Sequence, residues 1–423
     1  MGWRDAQHPG SRGPATFQVR DVSASASGSG SEVEMMSGPP PSYFESSHDY
    51  SAPQWPEEQQ FQQPTPQSRN MQYAAAAQSA PWWKPKYWRK RTLAIVAAII
   101  VIILIIVIVV PVKVTEANRY PNYTKLNYSL KDEYSGTTFF DNFDYFTGYD
   151  PAQGFVHYVP KEQATSLNLT YASSERAVLK VDTSVGPGST PDASTGRFSV
   201  RLESKTQYDS GLFVFDVRHT PHGCGTWPAL WLSDPNNWPA NGEIDVMEAT
   251  NQAADGANQM TLHTTDDCWM GVKRLMTGTV LAQDCYNGTD DNAGCGVSGG
   301  ADSYGATYND GDGGLMAVEW RPEGIRMWAF TRSAIPADIT AQNPDPSSWG
   351  EAKADFPSTK CDIGSHFKNQ SLIANIDLCG QYAGGVYADS GCPSTCTDYV
   401  ANNPSAFTDA FWEFGKFEIY QAS

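Results

Sequence analysis

The stretch Asn241–Thr250 reads NGEIDVMEAT and places three carboxylates among aliphatic residues. In a β-strand successive side chains point to opposite faces, so Glu243 and Asp245 share one face and the aliphatic residues beside them share the other. Strict alternation would put Glu248 among the core residues, where a carboxylate is costly to bury. One extra residue in a β-bulge at Val246–Met247 would return Glu248 to the face of the other two acids. The spacing therefore predicts a bulged strand with three acids on one side.

Such a group of acids is typical of acid–base chemistry on sugars. Retaining glycosidases use two carboxyl groups roughly 5–5.5 Å apart, one as nucleophile and one as general acid/base. Like charges held so close cannot all ionise easily, so one pKa is raised and that carboxyl keeps a proton for the leaving oxygen. The alternative is an acidic, solvent-facing strand, because acidic and aliphatic residues often alternate in exposed strands.

Aromatic residues lie just before the acidic strand. In the sequence TWPALWL, Trp227 and Trp231 share one face of a predicted strand, and Trp238 follows in the next turn. Indole rings beside carboxylates suit stacking on the apolar C–H faces of pyranose rings. His263, in the predicted neighbouring strand TLHTT, could reach the carboxylates. The alternatives are that the two strand tryptophans belong to the core and that His263 is structural.

Residues 136–423 contain many short runs with the alternation of β-strands, separated by turns rich in Gly, Asn, Asp and Pro. No long amphipathic helix interrupts them. This pattern predicts an all-β domain, a jelly-roll β-sandwich. The clearest runs are Arg197–Leu202, Gly211–Val217, Gly314–Trp320, Ile325–Phe330 and Trp412–Tyr420.

An apolar run from Leu93 to Val112 has 20 residues and no charge. At a helical rise of ~1.5 Å per residue it covers roughly 30 Å, the thickness of a bilayer's hydrocarbon core. A buried core helix of this length would rarely be apolar on every side. A cleaved signal peptide would not follow a tail of about 90 residues. The run predicts one transmembrane helix at 92–112.

The charges beside the span predict its orientation, because Lys and Arg are retained on the cytoplasmic side. We therefore expect a single-pass type II membrane protein whose C-terminal domain is extracellular or luminal. Basic residues before the span are Lys84, Lys86, Arg89, Lys90 and Arg91, against Lys113 and Arg119 close after it. A predicted aromatic belt on the inner side consists of Trp82, Trp83, Tyr87 and Trp88.

Cysteines and N-glycosylation sequons support this orientation, since both occur only after the span. An even number of cysteines on one side fits disulfides in an oxidising compartment, although eight cysteines allow 105 pairings. Free buried thiols are the alternative. The cysteines are Cys224, Cys268, Cys285, Cys295, Cys361, Cys379, Cys392 and Cys396. The sequons begin at Asn122, Asn127, Asn168, Asn287 and Asn369.

The remaining segments and the net charge restrict the function further. Residues 1–91 are rich in Ser, Pro, Gln and Gly and are expected to form a disordered cytoplasmic tail. Residues 113–135 are expected to form a glycosylated stem. The formal net charge of -18 argues against nucleic acid as a partner, because nucleic-acid binding needs a basic surface. We expect a monomer without a cofactor or metal.

Five segments together resemble glycoside hydrolase family 16, and specifically its fungal endo-β-1,3(4)-glucanases of laminarinase type. The resemblance extends from about residue 136 to 422. Relatives with E-x-D-x-E lack the extra residue, and this sequence keeps the bulged form. The matching segments are GTWPALWL (225–232), NWPANGEIDVMEATNQ (237–252), TLHTTDDC (261–268), GGLMAVEW (313–320) and FWEFGKFEIYQ (411–421).

The resemblance implies a concanavalin A-like jelly roll with an open substrate cleft. It implies that Glu243 is the nucleophile, Asp245 the assisting carboxylate and Glu248 the general acid/base. It also implies contacts of Trp231, Trp238 and His263 with sugar, while the role of Trp227 in the same motif is less defined. The expected reaction is retaining endo-hydrolysis of β-1,3 or mixed β-1,3/1,4-glucan in cell-wall metabolism. Transglycosylation by the same carboxylates and a non-catalytic glucan sensor remain the alternatives.

Overall fold

The computed structural model describes residues 84, 89–117, 119–189, 195–251 and 256–423. The chain divides into two units, Met1–Ser79 and Ala80–Ser423. The first unit lies outside the described residues. The same is true of the expected disordered tail, except for a few residues at its end, and of the four residues of the expected aromatic belt.

The described part of the second unit after residue 119 is built mainly from short strands. In chain order they are β1 (Tyr128–Tyr134), β2 (Phe143–Tyr145), β3 (Val156–Tyr158), β4 (Thr170–Ala172), β5 (Ala177–Lys180), β6 (Arg197–Ser199), β7 (Arg201–Tyr208), β8 (Gly211–His219), β9 (Thr226–Ser233), β10 (Glu243–Glu248), β11 (Gln259–His263), β12 (Thr279–Val280), β13 (Val297–Ser298), β14 (Gly314–Arg321), β15 (Gly324–Thr331), β16 (Ala354–Pro357), β17 (Gln370–Leu378) and β18 (Phe411–Ala422).

The helices of the folded domain are short, and the one long helix precedes it. The α-helices are α1 (Lys90–Ala117), α2 (Lys161–Ser166), α3 (Gly305–Asp310), α4 (Ala337–Thr340), α5 (Ile363–His366), α6 (Gly380–Gly385) and α7 (Cys396–Asn402). The 3-10 turns span Gly136–Asn142, Asp290–Asn292, Arg332–Ala334, Pro346–Ser348, Ser358–Lys360, Tyr387–Ser390 and Pro404–Phe407.

Two antiparallel sheets of eight strands form most of the domain, and β3 and β6 form a separate parallel pair. The first has the order β16-β15-β14-β8-β18-β5-β4, with β1 also paired to β18. The second has the order β12-β13-β11-β10-β9-β17-β7-β2. The main core contains residues of both sheets, with aromatic rings such as Phe139, Phe215 and Phe417 in edge-to-face contact. The predicted all-β sandwich is confirmed.

The segment expected to form a stem belongs in part to the first sheet. Strand β1 pairs with β18 from Tyr128↔Ala422 to Tyr134↔Phe417. The hydroxyl of Tyr128 donates to the buried carboxylate of Glu319 at 2.9 Å, and Tyr123 donates to the carbonyl of Glu323 at 3.1 Å. The folded domain therefore begins before residue 136, and residues 119–134 form a strap whose second half, β1, is a strand of the first sheet. The strap was missed because its strand is mostly polar and its partner is far away in sequence.

All eight cysteines pair, which confirms the predicted disulfides. The sequence left their pairing open, and the structure resolves it. The bridges are Cys224–Cys392, Cys268–Cys361, Cys285–Cys295 and Cys379–Cys396. None of the eight cysteines lies in a β-strand, so the bridges join the segments that connect the strands.

Helix α1 contains the apolar run and extends past both of its ends. Its apolar side chains are exposed along the run, for example Ile102 and Val107. The helix is long and apolar enough to cross a membrane by length and composition. Its last residues approach the 3-10 turn Ser358–Lys360 of the folded domain.

Candidate active site

The acidic strand β10 contains the predicted bulge. Its pairing with β9 shifts between Asp245 and Met247, and its pairing with β11 shifts between Asp245 and Glu248. Val246 and Met247 are both fully buried in the core. Two consecutive residues thus point inward, and Glu248 returns to the face of Glu243 and Asp245, away from the core.

The turn before β10 is held by a network of amides around one carboxylate. Asp234 accepts hydrogen bonds from the side chains of Asn237, Asn241 and Asn369 at 2.7–3.0 Å. Gly242 ends this turn with φ +75, and a Cβ there would lie 2.5 Å from the carbonyl oxygen of His366. Only glycine fits that position, so the network and the glycine together fix where β10 starts.

Trp238 lies in this same turn beside the first carboxylate. Its ring is 41% exposed, and its side chain hydrogen-bonds to Glu243. The indole N–H is the donor, since indole offers no acceptor. The structure therefore brings a partly exposed Trp238 to the carboxylates.

His263 stands opposite Glu243 on the neighbouring strand β11. Its Nε2 lies 3.3 Å from Asp245 Oδ2, and its Nδ1 lies 3.0 Å from the side-chain oxygen of Asn292. One potential metal-ligand atom from each of Glu243, Asp245 and His263 lies within 4.8 Å of the other two. A metal ion could use such a spacing, so the expected absence of a metal stays a prediction.

The electrostatics of the group follow from burial and from the proximity of like charges. Burial raises the pKa of all three carboxyls. For Asp245 the negative charge of Glu243 adds to burial, and the pKa lies well above its usual value. Burial alone would lower the pKa of His263, but its bond to Asp245 and the charges of the carboxylates outweigh burial and raise it to about 10. An imidazolium thus sits among carboxyls that retain protons easily.

The two strand tryptophans point to the carboxylate face and are half-buried rather than part of the core. Trp227 donates its indole N–H to Glu248 Oε1 at 2.8 Å and meets the ring of Tyr382 edge-on. Trp231 donates to the side-chain oxygen of Asn375 at 2.9 Å. The first tryptophan therefore orients a carboxylate directly, and the second is held by a neutral amide.

Further residues of this face were missed by sequence reasoning. The guanidinium of Arg201 lies 5.0 Å from the ring of Trp231. Asn375 also donates to the hydroxyl of Tyr158 at 3.0 Å, and the buried Asp377 shares a side-chain hydrogen bond with Asp150. Asn375 and Asp377 stand two apart on β17. Two polar residues on the same face of an otherwise apolar strand are a signal that the sequence contains, but they form no known catalytic motif.

The model of the family described as "XgeA-like, catalytic GH16 domain" matches residues 143–420. The chain belongs to glycoside hydrolase family 16. The matched segment contains both sheets except β1, together with the whole carboxylate face. The family resemblance of the sequence is thereby confirmed, and the chain is a glycoside hydrolase.

Named relatives differ in length around the shared domain. A probable glycosidase of Schizosaccharomyces pombe is 45% identical over 310 residues, 72% of each chain. The endo-1,3(4)-beta-glucanase xgeA of Emericella nidulans is 39% identical over 313 residues, which are 70% of this chain and 47% of that one. This family 16 chain therefore spans about half the length of some curated relatives.

Two solved structures extend the comparison to three dimensions. Laminarinase 16A of Phanerochaete chrysosporium, with beta-glucans in its donor and acceptor sites, has 41% identity and a TM-score of 0.66. An elongating family 16 beta-1,3-glucosyltransferase has 40% identity and a TM-score of 0.65. Each match covers 70% of this chain and 100% of the other. These family 16 structures confirm the sandwich.

Proposed function

We propose that this chain is a retaining endo-β-glucanase that cleaves internal β-1,3 or mixed β-1,3/1,4 bonds of a cell-wall polysaccharide. The observation that carries the proposal is the bulge of β10, which gathers Glu243, Asp245 and Glu248 on one face of one strand. Retaining hydrolysis requires two neighbouring carboxyls that flank the scissile glycosidic bond. The names of the relatives at about 40% identity supply the substrate class.

In this mechanism Glu243 attacks the anomeric carbon while Glu248 donates its proton to the leaving glycosidic oxygen. The products are a glycosyl ester on Glu243 and a free reducing-end fragment. Glu248, now ionised, removes a proton from water, which attacks the ester and releases a sugar of retained configuration. Burial and the charge of Glu243 raise the pKa of Glu248, which suits a group that starts protonated.

The neighbouring groups hold these two carboxyls in position. Trp227 occupies Oε1 of Glu248, so Oε2 is left to carry the proton toward substrate. The His263 imidazolium lies opposite Glu243 and 3.3 Å from Asp245, and its positive charge favours the negative form of Glu243 against the effect of burial. We further propose that Trp231 and Trp238 contact sugar rings at either side of the carboxylates.

Chemical rescue separates the two roles sharply. With an aryl β-glucan oligosaccharide and added azide, Glu243→Ala should yield an α-glycosyl azide, because azide enters the face that the carboxylate vacated. Glu248→Ala should yield the β-glycosyl azide, because azide attacks the glycosyl ester. Glu162→Gln, an exposed carboxyl in α2, is the matched control and should retain activity. Wild-type activity of Glu243→Ala on β-1,3-glucan would exclude the assignment.

Transglycosylation by the same site is the second candidate, since one structural relative is described as an elongating glucosyltransferase. An acceptor sugar would then replace water on the glycosyl ester. Incubation with a labelled acceptor oligosaccharide distinguishes the two reactions. Longer labelled products at low substrate concentration favour transfer, and an increase in reducing ends alone favours hydrolysis. An inactive wild type that still binds glucan would favour the non-catalytic sensor.

We also propose that the chain is a monomeric, single-pass type II membrane protein, with its catalytic domain outside the cytoplasm. The apolar helix α1 and four disulfides support this topology. Enzymatic removal of N-glycans should increase the electrophoretic mobility of the full chain. Carbonate extraction at high pH should leave it in the membrane pellet. Loss into the supernatant would exclude the anchor.

A further inference from the structure

One segment of the folded domain exposes four large apolar side chains. Trp269, Leu275, Val280 and Leu281 are 41%, 39%, 39% and 55% exposed, and we call them the juxtamembrane patch. Outside α1, the other exposed large apolar side chains of the described residues are scattered over the domain. These are Leu130, Tyr149, Tyr171 and Trp238. A cluster of this kind within one short segment usually marks an interaction surface.

The patch is held rigidly, so its exposure is a feature of the fold. The bridge Cys268–Cys361 fixes its beginning. The backbone N–H groups of Thr277 and Gly278 both donate at 2.9 Å to the segment before β16, and β12 pairs with β13. These contacts fix the backbone of the segment that carries the four side chains.

Two short routes connect the end of α1 to the patch. The hydroxyl of Thr359 donates to the carbonyl of Arg119 at 2.7 Å, and the next residue, Lys360, accepts from the backbone of Trp269 at 3.0 Å. The side chain of Tyr120 hydrogen-bonds to Asp355. Asp355 in turn accepts from the backbone of Leu275 at 2.7 Å. The first residues after the helix are therefore close neighbours of the patch.

The length of α1 determines how far from the centre of the bilayer Arg119 and the residues beside it would lie. The helix continues from Val112 to Ala117, which adds roughly 7.5 Å beyond the apolar run at ~1.5 Å per residue. The headgroup layer on one side of a bilayer is roughly 5–7.5 Å thick. Arg119 would thus leave the membrane at the outer edge of the headgroups. A Trp and aliphatic side chains beside that point are suited to the interface between water and lipid.

We propose that the juxtamembrane patch inserts into the surface of the same bilayer that α1 crosses. This inference rests on the proposed membrane anchor and adds a second contact to it. A lipid surface fits the patch better than sugar does, because three of its four side chains are aliphatic and form no hydrogen bonds. Trp269 and Leu281 also line a cavity of about 360 Å³ with Gly294, which packs near His263. The His263 side of the active site would then face the membrane.

Photocrosslinking of the full chain in its membrane tests the proposal. Benzoylphenylalanine replaces Leu275 or Leu281 in separate variants. Ile102 within α1 is the positive control, and Tyr171, 43% exposed on β4, is the matched control on the folded domain. Lipid adducts are quantified by mass spectrometry after irradiation. Retained disulfides and β-glucan activity verify that each variant is folded.

The expected result is several-fold more lipid adduct at positions 275 and 281 than at 171. Adducts at Ile102 with only background at 275 and 281 would overturn the patch and leave the anchor intact. No adduct at Ile102 would remove the anchor itself, and the patch with it. Crosslinks from 281 to an added β-1,3-glucan oligosaccharide in place of lipid would assign the surface to substrate.

Discussion

Replacing Tyr128 with Phe removes one hydroxyl from the contact between the strap and the first sheet. That hydroxyl donates to Glu319 at 2.9 Å, and both residues are buried. Glu319 also pairs with Arg326 and Arg321, so its carboxylate would keep two partners. Burial raises the pKa of Tyr128, which therefore remains a donor throughout the accessible pH range. The variant isolates a single buried, charge-assisted hydrogen bond.

The loss of such a bond should lower the free energy of unfolding by about 1.5–3 kcal/mol. For a domain of about 300 residues, with an unfolding entropy of ~2.1 cal/mol/K per residue, this corresponds to a Tm about 2–5 °C lower. Thermal unfolding of the full chain in detergent, followed by near-UV circular dichroism, measures it. Tyr171→Phe, at a residue that is 43% exposed, should keep a Tm close to that of the wild type. Equal Tm values for the two variants would refute the assignment of the strap to the folded domain.

Three further predictions concern the site. Trp227→Phe should move the basic limb of the pH profile of kcat/KM to higher pH, because the hydrogen bond from Trp227 lowers the pKa of Glu248. Trp231→Phe is the control: it removes an indole N–H that bonds Asn375 and should leave that limb unchanged. The pKa of His263 is raised to about 10, so the protonated imidazole increases the free energy of unfolding fully below pH 6.5, and this contribution is lost as pH rises toward 10. The wild-type Tm should fall over that pH range, and the fall should be smaller in His263→Asn. Asp245→Asn should reduce kcat about 10-fold or more while the fold persists, and unchanged turnover would count against its assisting role.

The bulge of β10 was predictable because an odd spacing of acids conflicts with the two-residue period of a strand. Without an irregularity after Asp245, Glu248 would point into the apolar core, where a carboxylate is costly. The structure contains it between Asp245 and Met247. The alternation of side chains in a strand and the cost of a carboxylate in the core were sufficient to predict the bulge without knowledge of any distant contact.

The strap could not be predicted in this way. Its strand YSLKDEY offers only one aliphatic residue, and Asn127 just before it begins a glycosylation sequon. Its stability comes instead from pairing with β18, nearly the whole domain away in sequence. Local patterns do not report a partner at that distance. The same limit left the disulfide pairing open.

Two further residues of the carboxylate face could not be predicted because they come from strands far away in sequence. Arg201 on β7 and Asn375 on β17 both contact Trp231 of β9, and in the sheet order β17 lies between β7 and β9. Alone, each is an ordinary polar residue in a strand. The sheet makes them functional candidates by placing them in register with Ala229 and Glu248.

With α1 in a bilayer as proposed, the strap would limit how far from that bilayer the enzyme works. Because residues 119–134 are bound along the first sheet, little free chain remains between α1 and the domain. A domain of about 300 residues has a diameter of roughly 50 Å. The site could then reach only polymer within about that distance of the bilayer. On the proposed anchor, such an enzyme would act on chains close to the bilayer and would not reach polymer farther away.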